Sequence, residues 1–191
     1  MKITLFTTNQ TRHNYFINLL SNIATELNVI QESRERSIKT IHGHYPATEI
    51  MKGYFEKVLE AQKKLFGDSE FIKKKNTNLL SIKFGEINKC SLQSISKFLK
   101  SDIFIIFGSS YIKDELVDFL IKKSAINIHM GVSPYYRGSD CNFWALYDNN
   151  PHLVGSTIHL LSKGLDSGPI LYHAMSNIKA DPFEYTMSTV K

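Results

Sequence analysis

Cysteine is scarce in this chain. Cys90 and Cys141 are the two present in 191 residues, with no CxxC and no paired spacing, so neither a disulfide framework nor a zinc site is supported. Long hydrophobic runs are missing too: a membrane-spanning helix needs an apolar stretch of about 18 residues or more, and none occurs. Met1 to Phe6 pass straight into a strand-like pattern instead of a signal peptide. A soluble, cytoplasmic protein with no membrane partner and no metal is the expectation. Concentrated charge is also lacking. The formal net charge of +5 comes from scattered lysines, and the densest group, Lys73 to Lys75, has no interleaved aromatics. It reads as a solvated face, so no nucleic-acid partner is expected. His42-Gly43-His44 has neither cysteines nor clustered carboxylates at ligand spacing, and reads as a surface loop rather than a metal pair.

What is present suffices for one core. With 42% hydrophobic and 12% aromatic residues, the chain reads as a single domain over residues 1–191. Asp181-Pro182-Phe183-Glu184-Tyr185 reads as a helix start six residues before the chain stops, which raises the expectation that a C-terminal segment, or a segment for a possible homodimer, is lacking.

Along the chain, strand and helix patterns alternate. Ile3 to Phe6 predicts a strand, the polar Thr7–Thr11 a loop, and Tyr15, Phe16, Leu19, Leu20 and Ile23 a helix. Leu27 to Ile30 predicts a second strand, and the stripe Ile50, Met51, Tyr54, Phe55, Val58, Leu59 and Leu65 a helix ending near Gly67. Leu79 to Phe84 reads as a strand, and Leu92, Ile95, Phe98 and Leu99 as a short helix. Ile103 to Phe107 is apolar at every position, the mark of a strand covered on both faces in a parallel sheet. Leu116 to Leu120 then predicts a helix and Ala125 to His129 the next strand. Phe143 to Leu146 has helical character, and Val154 to Leu161 and Ile170 to Ala174 read as further strands. The alternation predicts an α/β fold with a doubly wound, mostly parallel sheet.

Chemistry concentrates at one strand end. Side chains alternate along a strand, so Asn127 and His129 share a face, at the carboxyl end where open α/β sheets bind ligands. An amide and an imidazole there can meet a developing oxyanion and exchange protons. Asp166, in Gly164-Leu165-Asp166-Ser167-Gly168-Pro169, is a carboxylate able to orient that imidazole and favour its protonated form. By spacing alone, an isolated Asn-x-His on a strand is more often a hydrogen-bonded pair that fixes a turn.

Three segments resemble one family. Asn127-Ile128-His129-Met130-Gly131-Val132-Ser133-Pro134-Tyr135-Tyr136-Arg137-Gly138, then Gly155-Ser156-Thr157-Ile158-His159, then Gly164 to Ile170 look like the folate-dependent formyltransferases. The resemblance covers roughly residues 102–175. It implies a Rossmann-like core, 10-formyltetrahydrofolate as co-substrate, and a catalytic group of Asn127, His129 and Asp166. Phe107, Gly108, Ser109 and Ser110 resemble the segment that holds the pterin ring, and Ser162 to Asp166, with Gly164 and Leu165, the opposite wall. His159 is assigned no catalytic role, as a hydrogen-bonded core histidine.

For the acceptor, the resemblance is greatest to the sugar N-formyltransferases at Pro134 to Gly138 and Asn142-Phe143-Trp144. It implies an amine on a nucleotide-linked (dTDP) 4-amino-4,6-dideoxy sugar, with Asn9, Tyr135, Tyr136 and Arg137 as substrate-binding candidates. Tyr135, Tyr136 and Trp144 can offer ring faces and Arg137 can meet a phosphate; equally, the aromatics can be core and Arg137 a structural partner. The glycinamide ribonucleotide enzymes carry a glycine-rich first loop that Thr7–Thr11 lacks, and the methionyl-tRNA enzymes carry a further C-terminal domain. Alternatives of another class are a formyltetrahydrofolate hydrolase and a non-catalytic binding module.

Overall fold

The computed structural model describes residues 1–34 and 48–191. One seven-stranded sheet forms, from β1 (Lys2–Thr8), β2 (Glu26–Ser33), β3 (Thr77–Lys83), β4 (Ile103–Phe107), β5 (Ile126–His129), β6 (Gly155–Leu160) and β7 (Ile170–Met175). Its spatial order is β3-β2-β1-β4-β5-β6-β7. β1 to β5 run parallel, and β6 is antiparallel to both of its neighbours, β5 and β7, in agreement with the doubly wound, mostly parallel sheet expected. The helices are α1 (Thr11–Ile23), α2 (Glu49–Phe66), α3 (Asp114–Lys122), α4 (Cys141–Tyr147) and α5 (Pro182–Ser188). No helix among the described residues is long and apolar enough to cross a membrane.

The two faces of β4 explain its unbroken apolar run. Phe104 and Ile106 join Phe6, Ile30 and the α3 residues Leu116, Val117 and Leu120 in one cluster. Ile103, Ile105 and Phe107 pack on the other side with Leu5, Val29 and the α1 residues Ile17 and Leu20. Each such side chain, fully buried, contributes roughly 1.5–3 kcal/mol of apolar transfer. Helix ends follow local chemistry. The Thr48 hydroxyl accepts from Met51 N at the start of α2, and Gly67 closes that helix at φ 64. Pro182 occupies the first turn of α5, whose cap Asp181 accepts from Glu184 N at 2.8 Å. Met187 of α5 packs with Ala61 and Phe66 of α2.

The helix expected over Tyr15 to Ile23 forms as α1, although Leu19 and Ile23 of its stripe are 48% and 62% exposed and the inward face carries His13, Asn14 and Ser21 beside Ile17 and Leu20. Polar side chains are tolerated there because they bond locally or to neighbouring elements, as Asn14 does to Ser69 O and Gln31. The helix expected over Leu92 to Leu99 is instead a turn that leads into one 3-10 segment, Ser96–Leu99, with a separate 3-10 turn earlier at Ile87–Lys89. Ser91 and Ser94 bond side chain to backbone (Ser94 N to Ser91 Oγ, 3.1 Å; Ser94 Oγ to Ser91 O, 2.7 Å), and such local bonds compete with helical ones.

Candidate active site

β5 ends at His129 on the carboxyl edge of the sheet, and its antiparallel neighbour β6 sets Asn127 opposite His159 and His129 opposite Thr157. Asp166 arrives from the β6–β7 loop, held at φ 43, a left-handed conformation in which strain is commonly tied to function. The three residues converge. Asn127 Nδ2 donates to Asp166 Oδ1 at 3.2 Å, and His129 Nδ1 lies 3.3 Å from Asp166 Oδ2. Gly138 N also donates to Asp166 Oδ2 at 2.9 Å.

The loop between β5 and α4 is clamped around this group. Thr157 Oγ1 donates to Gly131 O at 2.6 Å and accepts from Ser133 N at 2.9 Å. Ser133 Oγ donates to Asp166 O, and the Ser133–Pro134 peptide is cis. A Cβ on Gly131 would lie 2.5 Å from both His129 Nε2 and the Cys141 Cβ, so only glycine lets the ring and the loop pack this closely. Burial, reinforced by Asp166 and Asp140, pushes the Cys141 thiol up to about 12, so it fills space there rather than acting as a nucleophile.

Charge states follow from the same geometry. Burial pushes the Asp166 carboxyl up, but the neighbouring imidazoles of His159 (Nε2 at 3.9 Å) and His129 and the Gly138 N–H together outweigh it and hold its pKa below the ordinary value. For His129 the balance runs the other way. Both ring nitrogens face acceptors, with Nε2 3.0 Å from Tyr136 O, which favours imidazolium. Burial nevertheless exceeds the pull of Asp166 and the Tyr136 carbonyl, and the pKa lies below 6.5. Asp166 thus pulls toward the protonated form, as expected, but burial outweighs it and His129 rests mostly uncharged at neutral pH.

Asn127 also differs from expectation. Its Nδ2 hydrogens go to Asp166 Oδ1 and to His159 Nε2 (2.9 Å), and Oδ1 accepts no hydrogen bond among the described residues. The reverse amide orientation would set Oδ1 against the Asp166 carboxylate, so this assignment follows from the network. His159, buried on β6, donates from Nδ1 to Leu160 O at 2.8 Å. It is a hydrogen-bonded core histidine as expected, yet it also belongs to the network. The signal for it was available: it alternates with Thr157 on the strand that pairs with β5.

The wall residues divide. Phe107 departs from a pterin-facing role, because its ring is buried against His13 and Phe16 on the α1 side. Gly108, at φ 70, covers His13, whose ring would sit 2.6 Å from an added Cβ. Ser109 Oγ donates to Ser110 O, and Ser110 donates through N and Oγ to Glu32. Opposite, Ser162 Oγ donates to Gly164 O, and Leu165 is 53% exposed. The Tyr111 hydroxyl bonds Lys163 O and joins the two walls, beside a hollow of about 370 Å³ lined by Tyr111, Val117, Asp118 and Lys163 among others.

Of the acceptor candidates, Tyr135 (69%) and Arg137 are exposed. Tyr136 is not presented in that way: its ring packs with Ala145, Val154 and Tyr185, and its hydroxyl donates to Asp148 and accepts from Asn150. Its carbonyl, facing His129, is what reaches the site. Asn9 spends both ends of its amide on the backbone of Arg34, at 3.1 Å each, and so shapes the β2 end rather than projecting to a substrate. Trp144 stacks edge-on with Phe143 and Tyr147 on the exposed side of α4. His42-Gly43-His44 lies outside the described residues.

The formyl transferase family model matches residues 88–191. A methionyl-tRNA formyltransferase of Thermosynechococcus vestitus is 30% identical over 97 residues, 51% of this chain and 29% of that protein; the chain thus spans under a third of such curated relatives. In fold, it resembles the phosphoribosylglycinamide formyltransferase of Anaplasma phagocytophilum (TM-score 0.62, 17% identity, covering 100% of this chain and 79% of the other). It also resembles a sugar N-formyltransferase from Shewanella sp FDAARGOS_354 (TM-score 0.57, 17% identity, 100% and 65%).

Proposed function

The chain belongs to the formyl transferase family, and from that premise we propose that it moves a formyl group from 10-formyltetrahydrofolate to a primary amine. The observation that carries this reading is the convergence of Asn127, His129 and Asp166 on the carboxyl edge of the sheet. Between two loops joined by Tyr111 and Lys163, with Leu165 exposed on one, a flat ring has an apolar wall and a polar wall to meet.

Transfer forms a bond from the amine nitrogen to the formyl carbon and breaks the bond from that carbon to the folate nitrogen, which leaves with a proton. In between, the formyl oxygen carries negative charge. Asp166, ionised, fixes Asn127 and His129. His129 starts uncharged, so it can take the proton of the attacking amine, satisfy acceptors on both sides as the imidazolium, and then return the proton to the departing folate nitrogen. Its Nε2–H is the donor for the oxyanion, and the formyl oxygen must draw it from the Tyr136 carbonyl. Asn127 Oδ1 serves as an acceptor for an amine N–H while its Nδ2 stays on Asp166. Losing one oxyanion donor typically costs about 100- to 1000-fold in turnover.

For the acceptor we infer a nucleotide-linked 4-amino sugar. Exposed Tyr135 offers a ring face and exposed Arg137 a partner for phosphate. The test incubates the protein with 10-formyltetrahydrofolate and dTDP-4-amino-4,6-dideoxy sugars, glycinamide ribonucleotide or methionyl-tRNA, and follows the gain of one carbonyl by mass spectrometry. Formylation of the sugar alone supports the reading, and formylation of another amine moves the acceptor. Release of formate without any acceptor would make the protein a hydrolase.

A further inference from the structure

We propose that Glu32 is a positioning residue that sets the Gly108–Ser110 wall for the folate ring; this rests on the formyl-transfer reading of that wall. Glu32 stands at the end of β2, 1% exposed. In register it lies beside Thr8 of β1 and Ile82 of β3. β1 separates β2 from β4, so the carboxylate reaches across one strand to the loop that follows β4. There Oε2 accepts from Ser110 N at 2.6 Å and Oε1 accepts from Ser110 Oγ at 2.8 Å. On the other side Oε1 accepts from Gly85 N, past the end of β3, at 2.8 Å.

A buried carboxylate is costly unless it is hydrogen-bonded, and here three donors from two loops meet it. The arrangement has a chemical consequence. Both donors of Ser110 turn inward, so that residue has only acceptor lone pairs left for a ligand. A wall of that kind suits a flat heterocycle whose edge carries N–H donors, such as the aminopyrimidinone edge of a pterin. Glu32 thereby decides both where the loop sits and which polarity it presents.

Glu32→Gln keeps the shape but sets an NH2 group against Ser110 N–H or Oγ–H. With charge-assisted bonds of this kind lost, the KM for 10-formyltetrahydrofolate should rise about tenfold while kcat stays within about threefold. Hydrogen exchange at the Ser110 amide should accelerate in parallel. Ser110→Ala, which removes one donor and leaves the carboxylate, should raise KM less, and the double variant should not exceed Glu32→Gln alone, because both act through one contact. Titration of the wild-type protein with tetrahydrofolate separates the two claims. If the wild type binds and the Glu32→Gln protein shows lower thermal stability with KM and Ser110 exchange unchanged, Glu32 is merely structural and the proposal falls alone. If the wild type does not bind tetrahydrofolate, the proposal falls together with the functional reading.

Discussion

Two buried histidines lie beneath glycines on the same edge of the sheet, one in each half of the molecule. In the N-terminal half, His13 of α1 sits under Gly108, where an added Cβ would fall 2.6 Å from its ring. Its Nδ1 meets the Thr8 hydroxyl and its ring stands edge-on to Phe107 at 4.6 Å. In the C-terminal half, His129 sits under Gly131 at 2.5 Å, but its ring nitrogens meet a carbonyl and a carboxylate. The packing device is shared, and the electrostatic surroundings differ. A histidine becomes a proton-transfer group through the charges placed around it, and here those charges come from loops far along the chain.

The largest effect should separate the two histidines outright. His129→Ala and Asp166→Ala should each lower formyl transfer by about 1000-fold or more with the fold retained by circular dichroism. His13→Ala should lower thermal stability yet keep turnover within about tenfold, and equal losses from both histidines would erase the distinction. The glycines should divide along the same line. Gly131→Ala drives a methyl into His129 and should cut kcat by about 100-fold, a displacement near 1 Å at the reacting groups being enough. Gly108→Ala, strained by φ 70 as well as by His13, should act mainly on melting temperature and on the KM for the folate.

Acid sharpens the contrast further. Folding lowers the His129 pKa below its ordinary 6.5, so the unfolded chain takes up that proton first and stability is lost as pH falls through 6.5. Asp166 is depressed from 3.8; its contribution is complete above 3.8 and is lost as pH falls from there through its folded value. Replacing His129 by Gln should flatten the decline in melting temperature as pH falls below 6.5, and an unchanged curve would show that His129 is not the group responsible. The smallest effect belongs to the bridge between the walls. Tyr111→Phe removes one hydrogen bond to Lys163 O, worth about 0.5–1.5 kcal/mol net, and should raise the folate KM two- to tenfold.

Legibility in the sequence followed how local each signal was. The both-face burial of β4 and the shared face of Asn127 and His129 could be read because strand periodicity is two and needs only neighbours. Asp166 was marked by the turn residues around it. The short 3-10 turns after β3 were not legible, because serine side chains and a helix compete for the same backbone groups. Leu19 and Ile23 fit a helical stripe, yet the inward side of α1 was settled by polar partners on other elements, such as Gln31 for Asn14.

The order of strands and helices, the parallel character of the central strands and the three chemically apt side chains were determined by the sequence itself, since each rests on spacing within a few residues. Tertiary structure alone decided that His129 rests uncharged, that Asn127 turns its amide hydrogens inward, and that Glu32 on β2 grips a loop beyond β4. Charge state and hydrogen-bond direction depend on which atoms surround a group in space, and those atoms come from residues up to 78 positions away.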